Sequence, residues 1–192
     1  MRQSPIVYFL FFISGITALT YEIVWTRMLT LVFGHTVFSV SVVLAAFMAG
    51  LGLGSYLFGY AVDRLPESND SPSGSNAPSA LLIYGWIEIL IFASGALLSL
   101  LFANFSGIYS SLHSFIPESV PLQNAIKMLF AFGMMLIPTT LMGATLPIIS
   151  KYCVTDDSRM GTQVSLLYAL NTLGAAAGCL LTGFFLMGTF GV

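Results

Sequence analysis

Hydrophobic residues are grouped into five long segments, with short polar stretches between them. Two uncharged runs, residues 5–21 and 36–62, lie in the first two segments. About 20 helical residues are enough to cross a hydrocarbon core ~30 Å thick. The pattern therefore predicts an all-α integral membrane bundle that forms a single transmembrane domain over residues 1–192. We expect five spans, at about residues 5–33, 36–62, 80–104, 122–150 and 163–187.

The polar connections and their charges predict a topology. Residues 63–79 are rich in Pro, Ser, Asn and Gly, a composition typical of a mobile loop. Basic residues are divided unevenly between the two sides, and this asymmetry predicts a cytoplasmic N-terminus. The expected location is the prokaryotic inner membrane. One side carries Arg2, Arg64, Lys151 and Arg159, and the other carries Arg27 and Lys127.

Composition excludes several classes of function. Charged residues make up 7% of the chain, hydrophobic residues make up 57%, and the net charge is −2. Because the sequence has no basic cluster, we expect no nucleic-acid partner. The expected partner is membrane lipid. The two cysteines and the two histidines stand apart from one another, so we expect no metal site and no cofactor.

Small residues spaced by four mark faces where helix backbones can approach closely in lipid. Ala46, Gly50 and Gly54 form such a stripe in the second span, and Gly174 and Gly178 form another in the fifth. These stripes have two interpretations. They either pack the helices of one bundle together, or they bind other membrane subunits or a second copy of the chain.

Several polar residues are predicted to share one depth in the membrane. At ~1.5 Å of rise per residue, Glu88 lies about 12 Å from its end of the third span, and Ser14, Thr140 and Asn171 lie near the same level. Glu88 is expected to accept a hydrogen bond from Asn171 or a threonine, or to stay protonated. It either fixes helix register or forms a site for a proton or small cation. Glu22, about 24 Å along the first span, is predicted to lie too far away to share a cation with it.

Two prolines interrupt the hydrogen-bond pattern of the fourth span. Pro138 and Pro147 have no N–H, so kinks and two unpaired carbonyls, at Met134 and Gly143, are expected. Threonine hydroxyls can satisfy such carbonyls. Helices of this kind line cavities in transporters, and they also occur as plain kinks. The aromatic residues Trp25 and Tyr84 are interpreted as interfacial anchors near span ends.

Three parts of the sequence carry distinctive motifs in combination: residues 14–27, residues 43–55, and residues 138–152 taken with 167–175. Together they resemble the membrane domain of fused major-facilitator-like/spermidine-synthase-like proteins. The resemblance implies half of a major-facilitator-like fold, with a sixth helix missing after residue 187. It also implies a membrane module that anchors, feeds or drains polyamine chemistry.

The same resemblance implies a role for the end of the second span. Residues 59–64 are similar to the loop motif after the second helix of major facilitator transporters, so Asp63 and Arg64 inherit a gating role by resemblance. Members of the family usually continue into an aminopropyltransferase-like domain, which this chain lacks, so no enzymatic activity is expected. Two functions stay open. The chain is an accessory or anchoring subunit, or it is a transporter-like module for a polyamine or other small cation.

Overall fold

The computed structural model describes residues 5–64, 77–104, 107, 119–153 and 160–190. Within these ranges the chain forms five long helices and no strand. The helices are α1 (Pro5–Phe33), α2 (Thr36–Asp63), α3 (Ala77–Ala103), α4 (Val120–Cys153) and α5 (Met160–Leu181). A π-helical turn, Thr182–Leu186, joins α5 to the short α6, Met187–Phe190.

Each of α1 to α4, and α5 taken together with the π-helical turn and α6, contains a segment apolar and long enough to cross a membrane. These segments are Pro5–Phe33, Thr36–Val62, Leu81–Ala103, Leu122–Lys151 and Met160–Thr189. The predicted all-α bundle with five spans is therefore confirmed. Large apolar side chains such as Leu129 and Phe184 are 73% and 77% exposed, and hydrocarbon rather than water suits such surfaces.

Helix α3 begins earlier than predicted, and the loop expected at 63–79 is correspondingly shorter. Helix α2 includes the backbone of Asp63, and α3 begins at Ala77. Pro78 is compatible with the first turn of a helix, because its missing N–H would have no partner there in any case. Most of the predicted mobile loop, residues 65–76, lies outside the described residues.

Helix α4 also begins with a proline in its first turn. Pro121 lies in its first turn, and the preceding Ser119 caps it. The Ser119 hydroxyl oxygen accepts from the Leu122 N–H at 3.4 Å, and the Ser119 carbonyl accepts from the Gln123 N–H at 3.0 Å. Serine is a favoured N-cap residue because its side chain satisfies an N–H that the helix leaves unpaired.

The helices pack as two close pairs that share a common core. The most extensive contacts join α2 to α4 and α1 to α5, and both α2 and α3 pack against α1 and α4. Gly34, with φ of +72°, ends α1 in the left-handed conformation that glycine adopts readily, so α2 can begin at Thr36. The largest fully buried side chains include Trp25, Phe11 and Met135.

Candidate functional site

Glu88 forms the centre of a small polar cluster between α1 and α3. The Ser14 hydroxyl donates to Glu88 Oε1 at 2.7 Å. The Tyr84 hydroxyl, one turn before Glu88 on α3, lies close to both of these side chains. Tyr84 is buried and Glu88 is half-buried. The carboxyl group therefore has a hydroxyl donor on α1 and a second hydroxyl close by on α3, and the Ser14–Glu88 hydrogen bond ties α1 to α3.

This arrangement differs from the expected hydrogen bond between Glu88 and Asn171 or a threonine. Asn171 lies on α5 against Gly15, where a Cβ added to Gly15 would come within 2.2 Å of the Asn171 carbonyl oxygen. Neighbouring residues of α1, Ser14 and Gly15, thus contact different helices. The predicted polar layer is divided among separate helix contacts because equal depth does not place side chains on the same side of the bundle.

The small-residue stripe of the second span lies in the contact between α2 and α4. A Cβ on Gly50 would be 1.9 Å from Thr139 Oγ1, and a Cβ on Gly54 would be 2.0 Å from the Thr140 carbonyl oxygen. The Thr139 hydroxyl also lies within hydrogen-bond distance of the Ala46 carbonyl, at 3.3 Å. These distances leave no room for a side chain, so α2 and α4 meet backbone to backbone.

The stripe of the fifth span forms an equivalent contact with α1. A Cβ on Gly174 would be 2.1 Å from the Phe12 carbonyl oxygen, and one on Gly178 would be 2.4 Å from that of Ile16. Both stripes are therefore covered within the bundle. This placement favours packing inside one bundle over a subunit interface formed by these glycines.

Helix α4 runs without interruption through Pro138 and Pro147. The Gly143 carbonyl, which Pro147 deprives of its usual donor, accepts a hydrogen bond from Ser55 Oγ on α2 at 3.0 Å. The expected donor was a threonine, but Thr145 donates to a carbonyl within α4, that of Met142, at 2.7 Å. A neighbouring helix therefore supplies the hydrogen bond that the proline removes.

Glu22 lies in a different environment from Glu88. It is half-buried and faces an open groove of about 610 Å³ that also includes Arg27. Ser14, the partner of Glu88, precedes Glu22 by eight residues on α1, or about 12 Å along the helix axis. The two carboxyl groups consequently belong to separate sites.

At the end of α2, Arg64 stacks on Tyr60. Its guanidinium carbon lies 4.2 Å from the centre of the Tyr60 ring, and Nη2 donates to the Tyr60 hydroxyl. The side chain of Asp63 lies outside the described residues. The gating role that the resemblance implies for Asp63 and Arg64 stays a prediction.

The functional site has to be interpreted from its geometry, because comparison with known proteins found no match. No protein-family model, curated protein or solved structure matches this chain. Within the described ranges, no group of three or more His, Cys, Asp or Glu residues could hold a metal ion. Burial raises the pKa of the Cys153 thiol, just beyond the fourth span, which lowers its thiolate fraction and makes it a poor nucleophile.

Proposed function

We propose that this chain is a membrane-embedded accessory or anchoring subunit that holds a partner protein at the membrane. The observation that carries the proposal is the backbone contact within each of the two close helix pairs. At Gly54 in α2 and Gly174 in α5, the facing helix leaves no space even for a methyl group. Such pairs form a rigid scaffold to which a partner protein can be attached, and no solute can pass between the paired helices at these positions.

The chemistry of the interior supports the same proposal. The Glu88 carboxyl already accepts a hydrogen bond from Ser14, so it holds α1 and α3 in one register. A carboxyl group satisfied in this way stabilises a helix contact without binding a solute. Membrane proteins commonly join helices through hydrogen bonds of this kind.

The family resemblance suggests the class of partner. Residues 14–27 and 43–55, among others, resemble the membrane domain of fused major-facilitator-like/spermidine-synthase-like proteins. We therefore propose a partner that acts on polyamines, such as an aminopropyltransferase-like protein, together with other membrane subunits or a second copy of the chain. The proposed location is the prokaryotic inner membrane, and the uneven distribution of Lys and Arg supports a cytoplasmic N-terminus.

The proposal is tested by extracting the tagged protein from its own membrane directly into lipid nanodiscs and measuring intact masses. We expect a defined complex in which the 20.6 kDa chain carries a partner with aminopropyltransferase activity in fixed stoichiometry. An unrelated five-helix membrane protein with the same tag serves as the control for nonspecific binding. Recovery of the chain with lipid alone, in a monodisperse and folded state, would contradict the proposal.

A second function, transport of a polyamine or other small cation, is favoured by the position of Glu88. A carboxyl group inside a membrane span costs about 2.5–3.5 kcal/mol on insertion scales, and such residues commonly serve transport. The half-buried state of Glu88 leaves part of the side chain accessible.

Spermidine uptake into proteoliposomes separates the two functions. If the chain is an accessory subunit, we expect uptake equal to that of empty liposomes, for both the wild type and Glu88→Gln. Glutamine keeps the shape of the side chain but cannot ionise, so both proteins should show the same thermal unfolding. Uptake by the wild type that Glu88→Gln abolishes would instead establish the transport function.

A further inference from the structure

The groove beside Glu22 has the size and lining of a ligand site. Its volume of about 610 Å³ lies within the range of about 300–1,000 Å³ that is usual for small-molecule sites. We call it the α1–α6 groove, after the helices that supply most of its lining. The residues that line it are Glu22, Ile23, Thr26, Arg27, Thr30, Thr36, Met187 and Gly188. Five of these eight residues have polar side chains, although α1 is a membrane-spanning helix.

The polar wall on α1 presents hydrogen-bond acceptors. Thr26 Oγ1 donates its proton to the Glu22 carbonyl at 2.7 Å, and Thr30 Oγ1 donates to the Thr26 carbonyl at 2.8 Å. A hydroxyl has one proton and two lone pairs, so each threonine retains only acceptor capacity. The Glu22 carboxylate is also an acceptor. This wall therefore suits a ligand that donates several hydrogen bonds, such as a primary ammonium group.

Arg27 adds the opposite charge to the same groove. It follows Glu22 by five residues, which is about 7.5 Å along the helix axis. A guanidinium group has five N–H donors in a planar arrangement that matches phosphate oxygens. The lining thus combines a position for an ammonium group with a nearby position for a phosphate.

The opposite wall is held in place by the π-helical turn. Thr182 Oγ1 in that turn donates to Thr20 Oγ1 at 2.9 Å, and Thr20 Oγ1 in turn donates to the Ile16 carbonyl at 2.9 Å. Met187 and Gly188 follow the turn directly and line the groove. A π-helical turn within an α-helix frequently marks a functional site.

From this geometry we infer that the α1–α6 groove binds the headgroup of a phospholipid that carries a primary ammonium group, as phosphatidylethanolamine does. The ammonium donates to the Glu22 carboxylate and the hydroxyl oxygens of Thr26 and Thr30. Arg27 contacts the phosphate. The bilayer is the nearest source of such a headgroup because the groove lies along a membrane-spanning helix and is open.

Titration of the intact protein with two lipids, followed by native mass spectrometry, tests this inference. Phosphatidylethanolamine and phosphatidylcholine with identical acyl chains differ only in the N-methyl groups, which remove every N–H donor. We expect phosphatidylethanolamine to bind about tenfold more tightly, a difference of about 1.4 kcal/mol. Glu22→Gln should abolish that preference, whereas Arg27→Gln should weaken the binding of both lipids.

Control variants show whether the lipid preference arises from the groove or from another part of the protein. Glu88→Gln removes a membrane carboxyl outside the groove and should keep the tenfold preference. Thr26→Val removes one acceptor without changing charge, and it should reduce the preference even if Glu22→Gln does not fold. Equal binding of the two lipids by the wild type, or a preference unchanged in Thr26→Val, overturns the inference. Displacement of the lipid by an equal concentration of free phosphoethanolamine would indicate a soluble ligand and overturn the lipid source.

Discussion

Gly54→Val is expected to separate α2 from α4 and to leave little folded protein in mild detergent. A Cβ at this position would lie 2.0 Å from the Thr140 carbonyl oxygen and 2.9 Å from the Ala144 nitrogen. Both atoms belong to the backbone of α4, so no flexible side chain can move aside. Overpacking costs about 1–3 kcal/mol, occasionally more, and we expect a loss of at least ~3 kcal/mol here. Thermal unfolding followed by circular dichroism measures it.

Gly52→Val provides the matched control on the same helix. No atom lies within 4 Å of the Cβ position of Gly52, so valine has space there. We expect a change within about 0.5 kcal/mol, as for substitutions away from packed sites. Equal unfolding temperatures for the two variants would show that α2 and α4 do not meet at Gly54.

The helices and their close contacts could be predicted because both depend on local sequence. The first span was predicted at 5–33, and α1 is Pro5–Phe33. The prediction needs only an apolar run of sufficient length. The spacing of four at Gly50 and Gly54, or at Gly174 and Gly178, likewise places small residues on one face of a helix, whichever helix packs there.

The partners of the polar residues could not be predicted from depth alone. Ser14, Glu88 and Asn171 were expected at one level, yet Ser14 pairs with Glu88 while Asn171 packs against Gly15. Which residues meet depends on how each helix is rotated about its axis. Apolar residues surround these helices on all sides, so the sequence has no polar face to indicate that rotation.

One polar neighbour of Glu88 did have a signal in the sequence. Tyr84 precedes Glu88 by four residues, and residues at that spacing lie together on a helix surface. The rule that places aromatic residues at membrane interfaces obscured this signal, since Tyr84 is near the start of its span. The same rule assigned Trp25 to the interface. Position along the membrane normal does not say whether a side chain points to lipid or to another helix.

Trp25→Ala is expected to cost about 3 kcal/mol, because this indole fills the core of the bundle. Trp25 has 0% exposure, stacks on Tyr21 with ring centres 5.1 Å apart, and contacts Phe47 at 5.8 Å. Large-to-small changes of buried Trp cost about 3–5 kcal/mol in water-soluble proteins. The lower end applies here, since lipid also solvates an unfolded tryptophan. The free energy of unfolding in detergent gives the measurement.

Trp86→Ala and Trp25→Phe separate the contributions to this loss. Trp86 is 66% exposed on α3, so its replacement should change the free energy of unfolding by less than about 0.5 kcal/mol. Phenylalanine keeps most of the volume of Trp25 but removes the hydrogen bond from Nε1 to Ser99 Oγ, 3.0 Å long, which is worth about 0.6 kcal/mol in a membrane interior. If Trp25→Ala proved as mild as Trp86→Ala, Trp25 would belong at the interface and the core would be packed differently.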